Sequence, residues 1–165
     1  MILDLASIQE VRDLLAASKK AQQQLATFPQ EKINDICHAI ANACYENREK
    51  LAKMAHEETG FGIWQDKVVK NTFGSKIVFE KIKHMKTIGI LSENTEEGIM
   101  EVAVPLGVVA GLIPSTNPTS TVMYKTLISV KAGNGIVFSP HPNALKSILE
   151  TINIINAAIA TAGGP

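Results

Sequence analysis

The stretch that decides the fold reads Gly107-Val108-Val109-Ala110-Gly111-Leu112-Ile113, and it stands between Pro105 and Pro114. A continuous apolar run of this length, bounded by turn residues, is typical of a strand buried on both faces in a parallel sheet. The sequence then predicts a helix over residues 119–131, a second buried strand at Ile136-Val137-Phe138, and a helix over residues 143–160. The resulting order, β-α-β-α, indicates an α/β fold with a parallel sheet.

Just upstream of this stretch, the sequence predicts a β-hairpin. Two apolar segments, from Ile88 to Leu91 and from Ile99 to Val104, flank a polar turn around Glu93-Asn94-Thr95. Short apolar segments on either side of such a turn are the usual pattern of two antiparallel strands.

Three helices are predicted before the hairpin, in residues up to about 85. The first carries Ile8, Val11 and Leu15 at helical spacing, and the second extends from Pro29 to a glycine stop at Gly60. The third covers residues 64–85 and begins at Trp64, which we expect to be a packing residue. Its lysines fall largely away from the apolar side and are expected to face solvent; they are Lys67, Lys70, Lys81 and Lys83.

Composition and charge exclude several classes of protein. The 165 residues include 16 basic and 16 acidic side chains, so no net field attracts nucleic acid or an anionic membrane. The chain opens without a basic leader and contains no run of about 18 apolar residues, so neither secretion nor membrane insertion is expected. Cys37 and Cys44 match neither a disulfide along one helix nor a zinc spacing, which favours packed thiols in a cytoplasmic protein. No metal site is expected, because His38, His56 and His84 have no partners at ligand spacing.

Polar loops follow both predicted strands of the sheet. The first reads Pro114-Ser115-Thr116-Asn117-Pro118-Thr119-Ser120, and the second reads Ser139-Pro140-His141-Pro142-Asn143. Because a right-handed βαβ crossover makes the two strands parallel, both loops should open at the same edge of the sheet, where α/β proteins bind ligands. A nucleotide cleft is therefore predicted, although the sequence has no G-x-G-x-x-G after a strand.

Among the residues of these loops, Asn117 gives the most specific indication of a function. Pro118 suits the first position of a helix, which makes Asn117 its N-cap. If the Asn117 carbonyl oxygen accepts from the helix amides, its NH₂ group must point away. In one interpretation Asn117 only caps the helix, whereas in the other its NH₂ group stabilises an oxyanion. His141 also has two interpretations, a contact to a ribose or phosphate and a rigid exposed turn between two prolines.

The two loops and their strands resemble those of the aldehyde dehydrogenase superfamily. Ordinary aldehyde dehydrogenases carry approximately Pro-Trp-Asn in the first loop and Lys-Pro-Ser-Glu in the second, whereas the CoA-acylating branch carries Thr-Asn-Pro-Thr-Ser and Ser-Pro-His-Pro. This sequence has Thr116-Asn117-Pro118-Thr119-Ser120 and Ser139-Pro140-His141-Pro142, so it is similar to the acylating branch. The segment from Ala52 to Gly60 and that from Glu80 to Leu91 also fit.

The resemblance implies an aldehyde dehydrogenase-like Rossmann-type parallel sheet with N-terminal helices and an oligomerisation β-hairpin, present as an incomplete domain. Residues 1–86 would be the helical part of the cofactor domain, residues 87–104 the oligomerisation hairpin, and residues 105–165 the first βαβα of the NAD-binding domain. The hairpin implies a homo-oligomer, a dimer or larger. The catalytic domain and the nucleophilic cysteine are expected to lie outside this chain, which would then be a fragment or a truncated product.

The resemblance also assigns roles to residues. Asn117 corresponds to the catalytic asparagine that stabilises the oxyanion, and the residues implied in NAD binding are Leu112, Ile113, Pro114, Ser115, Thr116, Asn117, Ser139, Pro140, His141 and Pro142. The second loop lacks the lysine of ordinary relatives, so NAD is favoured over NADP. The implied reaction interconverts an aldehyde, coenzyme A and NAD with acyl-CoA and NADH through a cysteine thioester. Two alternatives stay open: a non-catalytic nucleotide-binding or assembly fragment, and a reductase of an acyl phosphate, which the Ser-Pro-His-Pro loop disfavours.

Overall fold

The computed structural model describes residues 2–165, and its N-terminal half is helical as predicted. The helices, in chain order, are α1 (Ile2–Leu25), α2 (Gln30–Glu46), α3 (Arg48–Thr59), α4 (Trp64–Thr72) and α5 (Val78–Ile82). A π-helical turn at Phe73–Ile77 joins α4 to α5 without a break in the helical backbone. The predicted third helix is thus confirmed as a continuous helical segment, and it contains a π turn that no periodicity indicated.

The predicted second helix is two helices. Asn47 separates α2 from α3, with backbone angles φ −92° and ψ 7°. Its side-chain amide donates to the Ala43 carbonyl at 2.9 Å, which is the local competition with helix backbone that asparagine often provides. The predicted glycine stop is confirmed, because Gly60 has φ 67° and its amide donates to His56 O at 2.8 Å.

The hairpin is also confirmed, with a shifted turn. Strand β1 (Gly89–Asn94) pairs antiparallel with β2 (Ile99–Ala103), and a bulge lies between Ile90 and Ser92. Asn94 ends β1, and its side-chain oxygen accepts from the amides of Glu96 and Glu97, so the turn follows Asn94 instead of being centred on it. Both strands lie on the surface of the described chain.

The C-terminal part has the predicted β-α-β-α order. Strand β3 (Val108–Ile113) is followed by α6 (Pro118–Lys131), β4 (Gly135–Pro140), a 3₁₀ turn at Pro142–Ala144 and α7 (Leu145–Thr161). Strands β3 and β4 are parallel, and their register pairs Val108 with Gly135 and Ile113 with Pro140. The parallel βαβ unit predicted from the sequence is therefore present.

Burial of these strands is less complete than predicted. We expected both faces of β3 to be covered, but its side chains alternate near its end, with Ile113 only 4% exposed and Leu112 70% exposed. Along β4 the residues are mostly half-buried. The apolar composition predicted cover on both faces, whereas the described residues cover mainly one.

The core lies between α2, α6 and α7. Its fully buried side chains include Ile33, Ile36, Cys37, Ile40 and Cys44 from α2, Val122, Met123 and Leu127 from α6, and Ile148 from α7. Each large aliphatic side chain buried in this way contributes roughly 1.5–3 kcal/mol. This layer fixes α6 against the N-terminal helices and so determines where the loop before α6 can lie.

The apolar stripe of α1 faces outward. Ile8, Val11 and Leu15 are 47%, 51% and 42% exposed, so the predicted helix is present but this side does not join the described core. None of the helices among residues 2–165 has the length and apolar character needed to cross a membrane.

Candidate functional site

The two polar loops meet at one edge of the parallel sheet. The ladder between β3 and β4 ends with Ile113 beside Pro140, and the His141 amide extends it by donating to Ile113 O at 3.0 Å. The loop from Pro114 to Asn117 and the loop that begins at His141 therefore leave the sheet side by side. An arrangement with Asn117 and His141 at opposite ends of the sheet, which would have excluded a shared ligand, is not observed.

The residues predicted to contact a coenzyme differ in exposure at this edge. Ile113 is buried, Ser115, Asn117 and Pro140 are half-buried, and the exposed ones are Leu112, Pro114, Thr116, Ser139, His141 and Pro142. Leu112 and Ser139 are direct Cα partners across the ladder. The fold thus brings both loops to the same edge of the sheet, where a ligand could touch the exposed members of the predicted set, whereas Ile113 lies beneath the surface.

Asn117 is the N-cap residue of α6 but does not cap it with its side chain. Its backbone angles are φ −137° and ψ 60°, and no capping hydrogen bond forms. The Asn117 Oδ1 atom instead accepts from Lys70 Nζ at 2.9 Å. The condition that this oxygen accepts from the helix amides is therefore not met, and the Lys70 ammonium is its partner instead.

The other end of the Asn117 carboxamide is available. Within the described residues, Nδ2 donates no hydrogen bond, so both of its protons are available to a bound molecule. A carboxamide with its oxygen engaged and its NH₂ group free, at the N-terminus of a helix, can donate to a developing negative charge. Capping by the Asn117 side chain, the first interpretation, is not observed, and the free NH₂ group is compatible with the second.

One face of α4 and the following turn holds this loop in place. Lys67, which is 4% exposed, donates from Nζ to Thr116 O at 2.9 Å. Burial, and next the positive charge of Lys70, lower the pKa of Lys67. The prediction that this helix's lysines form a solvated face is therefore wrong for Lys67, and Lys70 is exposed yet bonded to Asn117.

Two further residues continue the same face. Asn71, 1% exposed, accepts from the Thr119 hydroxyl at 2.7 Å through Oδ1 and donates from Nδ2 to Arg48 O at 2.9 Å. Gly74 lies so close to α6 that a Cβ atom there would be 2.8 Å from Ser120 O. We call Lys67, Lys70, Asn71 and Gly74 the α4 clamp, since they contact successive parts of the loop and of the first turn of α6.

The clamp was missed in the sequence, although a signal for it exists. Its members stand at positions i, i+3, i+4 and i+7, which is one face of a helix. A face made of two lysines, an asparagine and a glycine has no apolar residue, so the periodicity of hydrophobic residues assigned it to solvent. Only a search for polar residues at helical spacing would have indicated it.

His141 is oriented by its own turn. Its Nδ1 atom accepts from the Asn143 amide at 3.1 Å and thereby caps the short 3₁₀ turn. In the neutral ring this assignment leaves the proton on Nε2. Because the side chain is exposed, Nε2 can donate to an acceptor oxygen of a bound molecule.

A third lysine lies at the end of β3, and sequence reasoning did not single it out. Lys125 of α6 donates from Nζ to Leu112 O at 2.7 Å. Together with Lys67 and Lys70, it places three ammonium groups on oxygens of the strand end and its loop. This positive charge favours an anionic or polarised oxygen at the edge of the sheet.

A cavity of about 230 Å³ opens between the start of α4 and the Asn117 loop. Its lining residues are Phe61, Gly62, Ile63, Asp66, Lys67, Lys70, Thr116 and Asn117. A larger apolar groove of about 550 Å³ lies elsewhere, among α1, α7 and β4. The candidate site is the edge of the sheet where the two polar loops meet, and the smaller cavity borders its Asn117 loop.

The cysteines and histidines of the described chain do not form a reactive centre. Cys37 and Cys44 are free, fully buried thiols, and burial raises the pKa of each to about 12. Within residues 2–165, no three His, Cys, Asp or Glu side chains are arranged to hold a metal ion.

A βαβα unit behind N-terminal helices and a surface hairpin defines an α/β unit of the Rossmann type with its candidate site at the carboxyl edge of the sheet. The sequence profile of the aldehyde dehydrogenase family matches residues 3–164. This chain belongs to the aldehyde dehydrogenase family.

Known relatives support this assignment. The chain is 43% identical over 159 residues to the bifunctional aldehyde-alcohol dehydrogenase AdhE of Escherichia coli K12, a match that covers 96% of the chain and 18% of that protein. A crystal structure of a probable aldehyde dehydrogenase from Listeria monocytogenes EGD-e superposes with a TM-score of 0.97 at 70% identity, covering 98% of this chain and 36% of that one. An acetylating aldehyde dehydrogenase from Geobacillus thermoglucosidasius superposes with a TM-score of 0.96 at 50% identity, covering 99% and 36%. The chain thus spans about a fifth to a third of the length of these proteins.

Two more distant structures carry ligands. A propionaldehyde dehydrogenase from Rhodopseudomonas palustris, 29% identical with a TM-score of 0.74 over 92% of this chain and 35% of that one, holds CoA and an acylated cysteine. An engineered glycolyl-CoA reductase, 28% identical with a TM-score of 0.74 and the same coverage, holds NADP⁺.

Proposed function

We propose that the protein carrying this chain is an NAD-dependent, CoA-acylating aldehyde dehydrogenase. It would interconvert an aldehyde, coenzyme A and NAD⁺ with acyl-CoA, NADH and a proton. The observation that carries the proposal is the Asn117 carboxamide at the edge of the sheet, whose oxygen is held by Lys70 and whose NH₂ group donates no hydrogen bond within the described residues. In a member of the aldehyde dehydrogenase family, this is the donor that an acyl-transfer reaction needs for its oxyanion.

The chain's own residues fit a nucleotide. Ser139 and His141 are exposed and offer a hydroxyl group and, from Nε2, an N–H donor, while the loop backbone offers further carbonyl and amide groups. These uncharged groups suit the hydroxyls of a ribose. Residues 112–117 would contact the nicotinamide side and residues 139–142 the adenosine side. When bound, NAD⁺ supplies the hydride acceptor for aldehyde oxidation.

Asn117 would act on the aldehyde carbonyl. A nucleophile that adds to this carbon leaves negative charge on the oxygen, and the Nδ2 protons would stabilise that charge. The same donors would serve the second tetrahedral adduct, which forms when the thiol of coenzyme A attacks the acyl group. Neither step requires Asn117 to gain or lose a proton.

The nucleophile is not one of this chain's cysteines. A thiolate is the reactive form of cysteine, and a pKa of about 12 keeps Cys37 and Cys44 protonated at neutral pH. Both side chains are also fully buried, so a substrate cannot reach them. We therefore place the thioester cysteine in a part of the enzyme other than residues 1–165. The acylated cysteine of the R. palustris relative supports this chemistry.

The full-length protein that carries this chain provides the test. Aldehyde, coenzyme A and NAD⁺ should yield acyl-CoA and NADH, and Asn117→Ala should lower kcat roughly 10²- to 10³-fold. Asn156→Ala, at an exposed asparagine on α7, is the matched control and should leave kcat unchanged. Formation of the free acid without any dependence on coenzyme A would contradict the acylating assignment, and an unchanged kcat in Asn117→Ala would contradict the role of Asn117.

We propose NAD over NADP on the chemistry of the second loop. Residues 139–142 contain no cation to pair with a 2′-phosphate. The engineered glycolyl-CoA reductase was solved with bound NADP⁺, so NADP⁺ is the coenzyme to compare. The ratio of kcat/KM for NAD⁺ and NADP⁺ is the measurement, and a ratio that favours NADP⁺ would overturn this choice.

We also propose that residues 87–104 form an oligomerisation hairpin between two parts of the cofactor-binding region, residues 1–86 and 105–165. Ile90 and Val102 are direct partners across the hairpin, yet they are 46% and 51% exposed. Apolar strands left open on a surface commonly pair with another chain. The double variant Ile90→Asp/Val102→Asp should reduce the mass measured by light scattering to that of a smaller species, whereas an unchanged mass would refute the assignment.

The free thiols of Cys37 and Cys44 support a reducing, cytoplasmic location.

A further inference from the structure

The Asn117 carboxamide has two ends of nearly equal size, and only one of them can stabilise an oxyanion. Rotation by half a turn about the last side-chain bond exchanges Oδ1 and Nδ2. With the oxygen directed at the substrate, the same residue would repel the charge that develops there. A catalytic asparagine at this position therefore requires a device that selects one orientation.

The structure contains such a device. Lys70 Nζ lies 2.9 Å from Asn117 Oδ1, and an ammonium can only donate hydrogen bonds. In the opposite orientation it would face the NH₂ group, donor against donor. Because the bond is charge-assisted, it is also stronger than one between neutral groups. It competes with the other acceptor role open to Oδ1, capping the amides of α6, and no such capping bond is formed.

We infer that Lys70 is a positioning residue that fixes Asn117 with Nδ2 toward the substrate. The inference rests on the proposed function and deepens it. Lys70 also draws electron density toward Oδ1, which makes the Nδ2 protons better donors to an oxyanion. Lys70 touches neither substrate nor coenzyme in this role and acts through Asn117 alone.

The rest of the α4 clamp holds Lys70 at the correct distance. The Lys67 ammonium is fixed on Thr116 O, one residue before Asn117. The bond from Thr119 to Asn71 fixes the first turn of α6, and the close approach of Gly74 to Ser120 O fixes the spacing of the two helices. Lys70 is the exposed member of the clamp, so its side chain can be changed without opening a cavity in the core.

The experiment compares Lys70→Met, Lys70→Arg and the control Lys81→Met in the full-length protein. Lys81 is an exposed lysine on α5, outside the clamp. Losing a charge-assisted bond that orients the carboxamide should lower kcat roughly 10- to 100-fold in Lys70→Met, with the KM for NAD⁺ and the melting temperature close to those of Lys81→Met. Lys70→Arg keeps a cationic donor and should recover part of kcat.

A double-mutant cycle separates this inference from the proposed function. If Lys70 acts only through Asn117, Lys70→Met should cause little further loss in an Asn117→Ala background. An equal loss in both backgrounds would show that Lys70 acts independently and would overturn the inference. A normal kcat in Lys70→Met combined with a low kcat in Asn117→Ala would also overturn it while leaving the proposed function intact. A normal kcat in Asn117→Ala would instead refute the catalytic role of Asn117 itself.

Discussion

The buried hydrogen bond from Thr119 to Asn71 offers a direct measure of how firmly α4 holds the start of α6. The two side chains are 2% and 1% exposed, and the Thr119 hydroxyl donates to Asn71 Oδ1 over 2.7 Å. Thr119→Val preserves the shape of the side chain but leaves Oδ1 buried without this donor. An unsatisfied buried acceptor costs about 1–3 kcal/mol, so we expect a loss of that size in the free energy of unfolding.

The same helix supplies a matched control. Thr126 is also 2% exposed, but its hydroxyl donates to Val122 O, a carbonyl that the helix itself already satisfies. Thr126→Val removes a hydroxyl from an equally buried place without leaving an orphan acceptor, so we expect a change within about 0.5 kcal/mol.

Urea unfolding of the purified protein measures both variants. Midpoints compared at equal slope give the difference in stability. In an Asn71→Leu background, Thr119→Val should cost little, because the acceptor is gone. Equal losses in Thr119→Val and Thr126→Val, or the same loss with and without Asn71, would refute the reasoning that the orphan acceptor sets the cost.

Three further predictions concern the glycine of the α4 clamp, a carboxylate at the start of α7 and the two buried thiols. Gly74→Ala should lower the thermal midpoint of unfolding, because its Cβ would lie 2.8 Å from Ser120 O. This clash costs about 1–3 kcal/mol, which outweighs the roughly 1 kcal/mol that alanine gains in helix propensity. A raised midpoint would contradict this. Burial raises the pKa of Glu58, but hydrogen bonds from the amides of Ser147 and Lys146 outweigh this effect, so the pKa is lowered. The ionised carboxylate therefore contributes fully to folding stability above its ordinary pKa of 4.5, and this contribution is lost as the pH falls below that value. Glu58→Gln should therefore flatten the dependence of stability on acid pH, and an unchanged slope would count against the assignment. Cys37 and Cys44, each with a pKa near 12, should resist a thiol reagent until urea unfolds the protein, and rapid labelling of the folded chain would exclude their burial.

The sequence indicated the elements because their causes are local. The apolar run before Pro114, the helical spacing of Ile33, Ile36 and Ile40, and the glycine at position 60 each act within a few residues. The hairpin and the βαβα order followed for the same reason. The position of Asn117 and His141 at one sheet edge could also be predicted, since the strands of a βαβ unit are parallel and their carboxyl ends lie at the same edge.

Tertiary structure alone decided what these residues touch. Whether α4 turns its lysines to solvent or to the Asn117 loop depends on which face packs against α6, and the contacts join residues 47 to 49 positions apart. A side chain such as Lys70 is compatible with either outcome, because its long stem and single charge suit both water and a buried oxygen. The π turn after Thr72 was likewise not indicated by any local pattern, whereas the break at Asn47 coincides with a local hydrogen bond from its side chain to Ala43 O. The position of Asn117 at the sheet edge could thus be predicted from the chain, whereas the partner of its side-chain oxygen, Lys70 on a distant helix, could not.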